Sequence, residues 1–227
     1  MPRFELLSPK LHAKLKLQTE NEKLPHFTPV VTSEFFIAAA SCPIMLTKEV
    51  ETGNFYAGIV LSLKPGETPL KTIEERGGFN PLSLQCNGFY ISDDHIVVDR
   101  DNPRFSENEG SVLFTESLQP ADNLRQIQSA LGKYHAGITA TQVFIQALSE
   151  LKLIEPIEMS LNFDGGEKLT LQGLYTVSLD ALRDLDETAT IALYRAGHLE
   201  LAYLLAASLQ QFKVLAHLRN QQILRSK

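Results

Sequence analysis

The chain has 227 residues, of which 44% are hydrophobic and 21% are charged, which is enough to bury one substantial core or two small ones. A formal net charge of −6 argues against generic binding to the phosphate backbone of nucleic acids. Residues 1–18 lack the uninterrupted apolar core of a secretory signal peptide, and no stretch of about 18 residues is apolar and free of charge. We therefore expect a soluble, cytoplasmic protein without a membrane-inserted segment.

The first half of the chain is predicted to be mainly antiparallel β-structure with short elements. Alternating apolar and polar residues, interrupted by turn residues such as Gly53, predict strands. The first strand carries lysines on one face, as edge strands do. Prolines and glycines among charges make 64–81 a predicted loop. The predicted elements are strands at His12–Gln18, Ile44–Lys48, Phe55–Leu63, Leu82–Gln85, Phe89–Ile91 and Ile96–Asp99, and a short helix capped by Thr32 or Ser33 and ending at Ala40.

A long helix is predicted from Asn123 to Lys152. Its stripe steps alternately by three and four residues and consists of Leu124, Ile127, Leu131, Tyr134, Ile138, Thr141, Ile145 and Leu148. The pattern fits either a coiled-coil dimer or a long helix buried in one core. We favour the buried helix because Phe144 and Leu151 widen the stripe beyond a strict seam. Gly132 and Gly137 predict a kink or the close approach of another backbone.

A β-hairpin follows the helix. The apolar residues of both predicted strands are odd-numbered: Ile157, Met159, Leu161 and Phe163 on the first, and Leu169, Leu171, Tyr175 and Val177 on the second. Without a bulge, an even loop would pair odd with even positions and bury the wrong set. The parity therefore predicts a three-residue loop, Asp164-Gly165-Gly166, with a glycine in the left-handed region. Leu161 would then face Leu169, and Met159 would face Leu171.

Helices complete the chain. Ser178 and Asp186 are predicted caps of two short helices, Leu179–Leu185 and Glu187–Arg195. Gly197 ends the second, and one long apolar helix, His198–Leu224, closes the chain. Basic residues along this last helix fit the negative end of its dipole, with docking to an acidic partner as the alternative; they are Lys213, His217, Arg219, Arg225 and Lys227. The predicted class is α+β, with the long helix, the hairpin and the C-terminal helices packed on a sheet.

No catalytic signature stands out in the sequence, and we predict no catalytic residue, no metal site and no cofactor. One polar cluster is a candidate ligand-binding site: Asp93, His95, Asp99, Asp101 and Arg104. Capping carboxylates in a turn and an Asp–Arg pair explain it without a ligand, and a small polar or metal site is the alternative.

The remaining metal-ligating and nucleophilic residue types receive structural interpretations. His198 and Glu200 are two residues apart on a helix, point about 200° apart and cannot readily grip one metal together with His217. Isolated histidines are expected to be surface or half-buried residues; these are His12, His26 and His135. Cys42 and Cys86 belong to no CxxC motif and are interpreted as buried, inert thiols, with a redox role as the alternative.

Three blocks of the sequence resemble the bacterial SapC family. They are SEFFIAAASCPIMLTKEVETGNFYAGIVLSL (33–63), IVVDRDNPRFSENEGSVLF (96–114), and the segment 124–217 with GITATQVFIQALSELKLIEP, DGGEKLTLQGLYTV and ALYRAGHLELAYLLAASLQQF. The third block is the most specific, because motif content and order agree. The chain departs from the family by having no tryptophan and by reading Gln85-Cys86-Asn87-Gly88-Phe89 where an Arg-x-Pro-Phe-like turn is usual.

The resemblance implies a bacterial accessory protein and supplies no catalytic residues. The family name comes from an association with surface-layer proteins, and members are similar to proteins found near halogenase-like and outer-membrane-receptor systems. We expect a single domain over 1–227, with a possible subdivision near 103–122 into a β-rich part, 1–102, and a helix–hairpin–helix part, 123–227. The leading hypothesis is protein binding or self-association without catalysis. The alternatives are a small-molecule or metal-binding enzyme using Asp93–Arg104, and a surface-layer-associated structural protein.

Overall fold

A computed structural model describes residues 3–18, 24–67 and 69–225. The strands are β1 (Phe4–Leu6), β2 (Lys16–Leu17), β3 (Phe27–Pro29), β4 (Ile44–Lys48), β5 (Phe55–Val60), β6 (Phe89–Ser92), β7 (His95–Asp99), β8 (Phe105–Ser106), β9 (Ser111–Val112), β10 (Ile154–Asn162) and β11 (Lys168–Val177). The α-helices are α1 (Phe35–Ala39), α2 (Leu82–Gln85), α3 (Asp122–Glu150), α4 (Leu179–Arg183), α5 (Glu187–Arg195), α6 (His198–Ser208) and α7 (Gln211–Arg225), and a 3-10 turn (Thr32–Glu34) precedes α1. The sheets are antiparallel, which confirms the predicted α+β class.

The chain forms two compact units. The first consists of Met1–Leu24 and Leu82–Ala136, and the second of Pro25–Pro81 and Gly137–Lys227. The helix α3 begins in the first unit and ends in the second. The assignment of 1–227 to a single domain stays a prediction. Within the described residues, no helix is both long and apolar enough to cross a membrane.

The first unit contains two three-stranded sheets, ordered β1-β7-β6 and β8-β2-β9. The segment predicted as an edge strand is instead the middle of its sheet, because Lys16 and Leu17 pair with β8 on one side and β9 on the other. Residues 82–85, predicted as a strand, form the short helix α2, in which Cys86 N donates to Leu82 O at 3.0 Å. The preceding proline favours a helix start because its φ is already near the helical value.

His12 also lies in the first unit, and the prediction of a surface or half-buried side chain is wrong. The residue is only 2% exposed. Its Nδ1 accepts from Ser8 N at 3.0 Å, and its Nε2 lies 3.2 Å from Glu5 Oε2. Both ring nitrogens therefore have partners, so burial leaves no polar atom of the ring without a hydrogen bond.

The second unit contains a five-stranded sheet ordered β10-β11-β4-β5-β3. β4 and β5, both predicted as strands, pair from Ile44↔Ile59 to Lys48↔Phe55. The core beside this sheet includes Met45, Val60 and Phe212. As predicted, the segment 64–81 contains no helix or strand among its described residues.

The hairpin loop has the predicted geometry. Leu161 pairs with Leu169 and Met159 with Leu171. Phe163 N donates to Glu167 O and Gly166 N donates to Phe163 O, both at 2.9 Å, and Gly166 has a φ of 81°. The loop is therefore Asp164-Gly165-Gly166, a turn followed by one left-handed glycine.

The face assignment beyond the loop is only partly correct. The ladder shifts between Ile157 and Met159, where Ile157 pairs with Leu174 and Gly173 adopts a φ of 74°. Two residues on β11 oppose one on β10, which is a bulge, and a bulge reverses the side on which later residues point. Tyr175 therefore lies on the face opposite to Leu171, and Val177 lies there with it, contrary to the prediction.

The predicted last helix is two helices. α6 ends at Ser208, and α7 begins at Gln211. Ser208 Oγ accepts from Ile44 N at 2.8 Å and donates to Leu205 O at 2.7 Å. The hydroxyl thus satisfies the first residue of β4 across the core, and this tertiary contact coincides with the end of α6.

The helix α3 runs unbroken through both of its glycines. Most of the predicted stripe is buried, including Leu124 and Leu148, whereas Ile138 is 37% exposed and does not belong to it. A methyl group at Gly132 would meet no atom within 4 Å, but one at Gly137 would lie 2.6 Å from Val31 Cγ2. The expected close approach therefore exists at Gly137, where it involves a side chain.

These two glycines give a matched pair of substitutions. Gly132→Ala is expected to raise the free energy of unfolding by up to about 1 kcal/mol, because alanine has the higher helix propensity. Gly137→Ala is expected to lower it by roughly 1–2 kcal/mol, because the collision with Val31 outweighs the same propensity gain. Denaturant titration of both variants measures the difference. Stabilisation by Gly137→Ala would show that Val31 does not pack against the helix.

Candidate functional site

The five residues predicted as a ligand site lie along one hairpin and the loop after it. Asp93 and Asp94 form the two-residue turn between β6 and β7, with φ of 46° and 63°. His95 Nδ1 donates to Asp93 O at 2.6 Å beside this turn. Asp99 is at the other end of β7, four residues or about 13 Å away along the strand. The turn carboxylate and Asp99 are therefore not brought together.

The remaining members of this group support the chain around them. Asp99 Oδ1 accepts from Arg3 N and from Asp101 N, both at 3.1 Å. Arg104 donates from its guanidinium to Leu84 O at 3.1 Å and to Asn87 O at 2.9 Å, which fixes the loop after α2. Within the described residues, no group of three or more His, Cys, Asp or Glu side chains is placed to hold a metal ion. The ligand-binding role of these residues stays a prediction.

Both cysteines lie in structural environments. Cys42 and Cys86 are free and buried. Burial raises the pKa of the Cys42 thiol, and the hydrogen bond from Ser41 and the nearby cations Arg76 and Lys71 only partly oppose this. Such a thiol is a weak nucleophile because the thiolate is the reactive form.

The two histidines of the C-terminal helices have separate contacts. The His198 ring packs edge-on against Phe144 with centroids 5.5 Å apart, and burial lowers the pKa of its imidazole. His217 Nε2 lies 2.9 Å from the Gln221 amide. Each ring is accounted for by neighbours on the fold, without a shared ligand.

An exposed apolar surface covers one side of the sheet β1-β7-β6. Leu6 and Tyr90 both pair with Val97, the residue between them, so the three side chains share one face, and Phe4 joins them two residues along β1. Phe4 is 56%, Leu6 58% and Tyr90 43% exposed. The Phe4 and Tyr90 rings pack edge-on at 5.3 Å. We call Phe4, Leu6, Tyr90 and Val97 the apolar sheet face.

The other side of the same sheet is the core of the first unit. Val98 is 0% and Phe89 is 2% exposed, and both pack with Leu113 and Leu124. A three-stranded sheet needs only one buried face for stability. The stability of the sheet therefore does not require burial of its second apolar face. Exposed clusters of this kind mark interaction sites.

The two ends of the apolar sheet face differ in charge. Arg3 precedes β1 beside the Asp99 end of β7; its side chain is 60% exposed and forms an ion pair with Glu5 at 3.0 Å. Asp93 and Asp94 are exposed in the turn at the opposite end. The turn end of the face is thus acidic, whereas the other end carries Arg3 together with the carboxylates of Glu5 and Asp99.

The second unit has a cavity of about 450 Å³ beside the hairpin. It is bounded on one side by β11 and on the other by β3, β5 and the start of the loop that follows β5. We call it the hairpin pocket. Its lining residues are His26, Phe27, Thr47, Tyr56, Val60, Ser62, Leu63, Lys64, Pro65, Leu169, Thr170, Leu171, Gln172 and Leu174.

The pocket exists because β11 leaves β4 early. In the part of the chain that the structure describes, these strands pair at Tyr175↔Leu46, and the bulge at Gly173 turns the rest of β11 away. Thr47 Oγ1 donates to Gly173 O at 2.9 Å at the point of divergence. At the far end, Lys64 forms an ion pair with Glu167 near the hairpin loop.

The chemistry of the pocket is mixed. Phe27 and Tyr56 pack edge-on at 5.9 Å, and leucines from β11 complete an apolar wall. The pKa of Tyr56 is raised by burial and by Glu49, so its phenol keeps its proton and can donate. Sequence reasoning missed this site because its residues come from segments more than 100 positions apart, and none belongs to a known catalytic or ligand-binding motif.

Comparison with known proteins gives one match. The model of the SapC family matches residues 7–215 of the chain. No curated protein and no solved structure matches it. The matched segment includes the first two blocks that resembled the family by sequence and all but the last two residues of the third, and the chain belongs to the SapC family.

Proposed function

We propose that this SapC protein acts by protein binding, without catalysis of its own, and that its partner is a second copy of itself joined through the apolar sheet face. The observation that carries the proposal is the exposure of Phe4 and Leu6, each more than half accessible, on a regular sheet whose other side already forms a core. Fully burying one such side chain is worth about 1.5–3 kcal/mol. The side chains of the face are already partly buried, so each of the four per copy would contribute a part of this value.

The charges at the ends of the face favour one arrangement. A two-fold interface uses the same patch on both copies. If the axis is perpendicular to the strands, Arg3 of each copy lies near Asp93 and Asp94 of the other. The opposite arrangement would place like charges together, which costs free energy. We therefore infer face-to-face packing with antiparallel strands.

The test is the mass of the protein in solution. Leu6→Glu places a charge in the centre of the face and is expected to convert the dimer to a monomer, because an unpaired charge is costly to bury. Val50→Glu is the matched control: Val50 is 100% exposed in the β4–β5 turn and lies outside the face. Light scattering after size exclusion reports both masses. Dimerisation unaffected by Leu6→Glu would disprove the role of the face.

A different protein partner is an outcome of the same experiment. If the wild type is monomeric and binds a protein from its host only when Leu6 is intact, protein binding stands and self-association is wrong. The cytoplasmic location predicted from sequence and the link to surface-layer, halogenase-like or outer-membrane-receptor systems stay predictions. An intracellular accessory protein that assembles through an apolar face fits these predictions, but it does not fit a structural role in a surface layer.

A further inference from the structure

We propose that the hairpin pocket binds an extended peptide of about four residues as an added strand on the edge of β11, along which the described residues place no further strand. The four consecutive residues Leu169–Gln172 line the cavity and span about 13 Å at 3.3–3.4 Å per residue, which sets the length of the ligand. This site lies in the second unit and is independent of the proposed self-association through the apolar sheet face.

The pocket lies beside the edge of β11 and is not confined to one face of the strand. Successive side chains of a strand point to opposite faces. Yet the consecutive residues Leu169, Thr170, Leu171 and Gln172 all line the cavity. Only a cavity beside the edge of a strand can contact the side chains that point to both of its faces. An edge with unpaired main-chain groups is the template on which strand addition occurs.

The partners of this edge can be assigned from the ladder. β11 pairs with β10 along its length, and in the described part of the chain its pairing with β4 is at Tyr175↔Leu46. The pair Phe163–Glu167 is hydrogen-bonded, because Phe163 N donates to Glu167 O. Hydrogen-bonded and non-hydrogen-bonded pairs alternate in an antiparallel ladder. The main-chain groups of Lys168 and Thr170 therefore point away from β10, towards the free edge.

The opposite wall of the pocket suits an apolar side chain on the peptide. Phe27 and Tyr56 form an aromatic corner, with Val60 between the loop and the sheet. The Phe27 ring lies where a side chain on Gly58 would stand, since a methyl group there would be 2.3 Å from Phe27 Cε1. The glycine thus lets this ring lie flat on β5 as part of the wall.

The charges of the lining favour a peptide with a carboxylate over one with a cation. Among the lining residues, His26 and Lys64 are basic and none is acidic. Lys64 also forms an ion pair with Glu167, which lies at the hairpin end and outside the lining. The best ligand on this chemistry is an apolar, extended peptide with a free C-terminal carboxylate and a blocked amino end.

The probe is a pool of N-acetylated tetrapeptides with valine, threonine, leucine or phenylalanine at each position and a free carboxylate. Added at millimolar concentration to the full ¹⁵N-labelled chain, it is expected to shift the amide signals of Lys168 and Thr170 saturably. The same pool with every amide N-methylated keeps its side chains but loses its donors. It is expected to bind at least tenfold more weakly, the loss that follows from removing main-chain hydrogen bonds.

Two variants separate the main chain from the side chain at the same position. Thr170→Pro removes the outward N–H and is expected to weaken binding about tenfold, whereas Thr170→Val keeps it and is expected to stay within about twofold. No saturable shift at Lys168 and Thr170, or equal binding of the N-methylated pool, would overturn the proposal. The peptide comparison uses the unaltered protein and stands even if Thr170→Pro does not fold. Loss of dimerisation by Leu6→Glu leaves this result unchanged if the two sites are independent.

Discussion

Replacing Arg219 by methionine is expected to lower the free energy of unfolding by about 3 kcal/mol. Arg219 is only 6% exposed, and its guanidinium contacts Glu67 Oε1 at 2.7 Å and Glu167 Oε2 at 3.0 Å. It also lies over the Phe163 ring at 4.5 Å from the centroid. Methionine would fill the space but leave two carboxylates facing each other without their shared cation.

The control for this prediction is on the same helix. Arg225 is exposed at the end of α7, and Arg225→Met should change the free energy of unfolding by no more than about 1 kcal/mol. Adding Glu67→Gln to Arg219→Met should restore part of the loss, because it removes a carboxylate that has lost its cation, whereas Glu167 keeps its ion pair with Lys64. Equal denaturation midpoints for Arg219→Met and Arg225→Met would mean that the buried ion pairs contribute nothing.

Gly110→Ala is expected to cost about 3 kcal/mol or more, combining backbone strain and overpacking. Gly110 has a φ of 109°, which side chains rarely adopt. A methyl group there would lie 2.4 Å from Leu17 O and 2.7 Å from Leu17 C. Backbone cannot move aside as a side-chain end can, so the pairing of β2 with β9 would have to open.

Gly53→Ala serves as the matched control, because only one of the two causes applies. Gly53 has a φ of 72°, and a methyl group there would meet no atom within 4 Å. Strain alone is expected to cost about 1 kcal/mol. Chemical denaturation of both variants compares them directly. Equal losses would mean that the contact with Leu17 does not hold the first unit together.

The hairpin shows how far the sequence carries. Odd spacing in both strands, together with Gly165-Gly166, was sufficient to predict the loop and the Leu161–Leu169 register, because parity links loop length to which face is buried. The bulge at Gly173 was missed. A glycine inside a strand is a known signal of a bulge, but the odd-numbered residues Leu171 and Tyr175 on either side continue the apolar alternation and conceal it.

Contacts distant in sequence account for the other differences. The break after α6 coincides with hydrogen bonds between Ser208 and Ile44, 164 residues apart, in a segment with no proline or glycine. Arg219, grouped by sequence with the basic side chains of the helix end, is buried because Glu67 and Glu167 reach it from a loop and a hairpin. Local patterns hold no information on such partners.

The two candidate sites differ in how far they could be predicted from the sequence. The pocket residues His26, Tyr56 and Thr170 are far apart and become neighbours only when β11 turns over the sheet. The sequence predicted protein binding or self-association but did not indicate which surface would serve it. Phe4 and Leu6 form it with Tyr90 because β1 pairs with β7, a pairing across more than 90 residues.

Mixing two charge-reversed variants tests the account most directly. Arg3→Glu and Asp94→Lys each place like charges at both ends of the antiparallel two-fold interface, whereas a mixed pair has opposite charges at both ends. Sedimentation of each variant alone should give a weakened dimer, tending to the 25.3 kDa monomer, and the equimolar mixture should give twice that mass. A mixture that stays as monomeric as its components, or a wild type of 25.3 kDa at every concentration, would contradict self-association through this face.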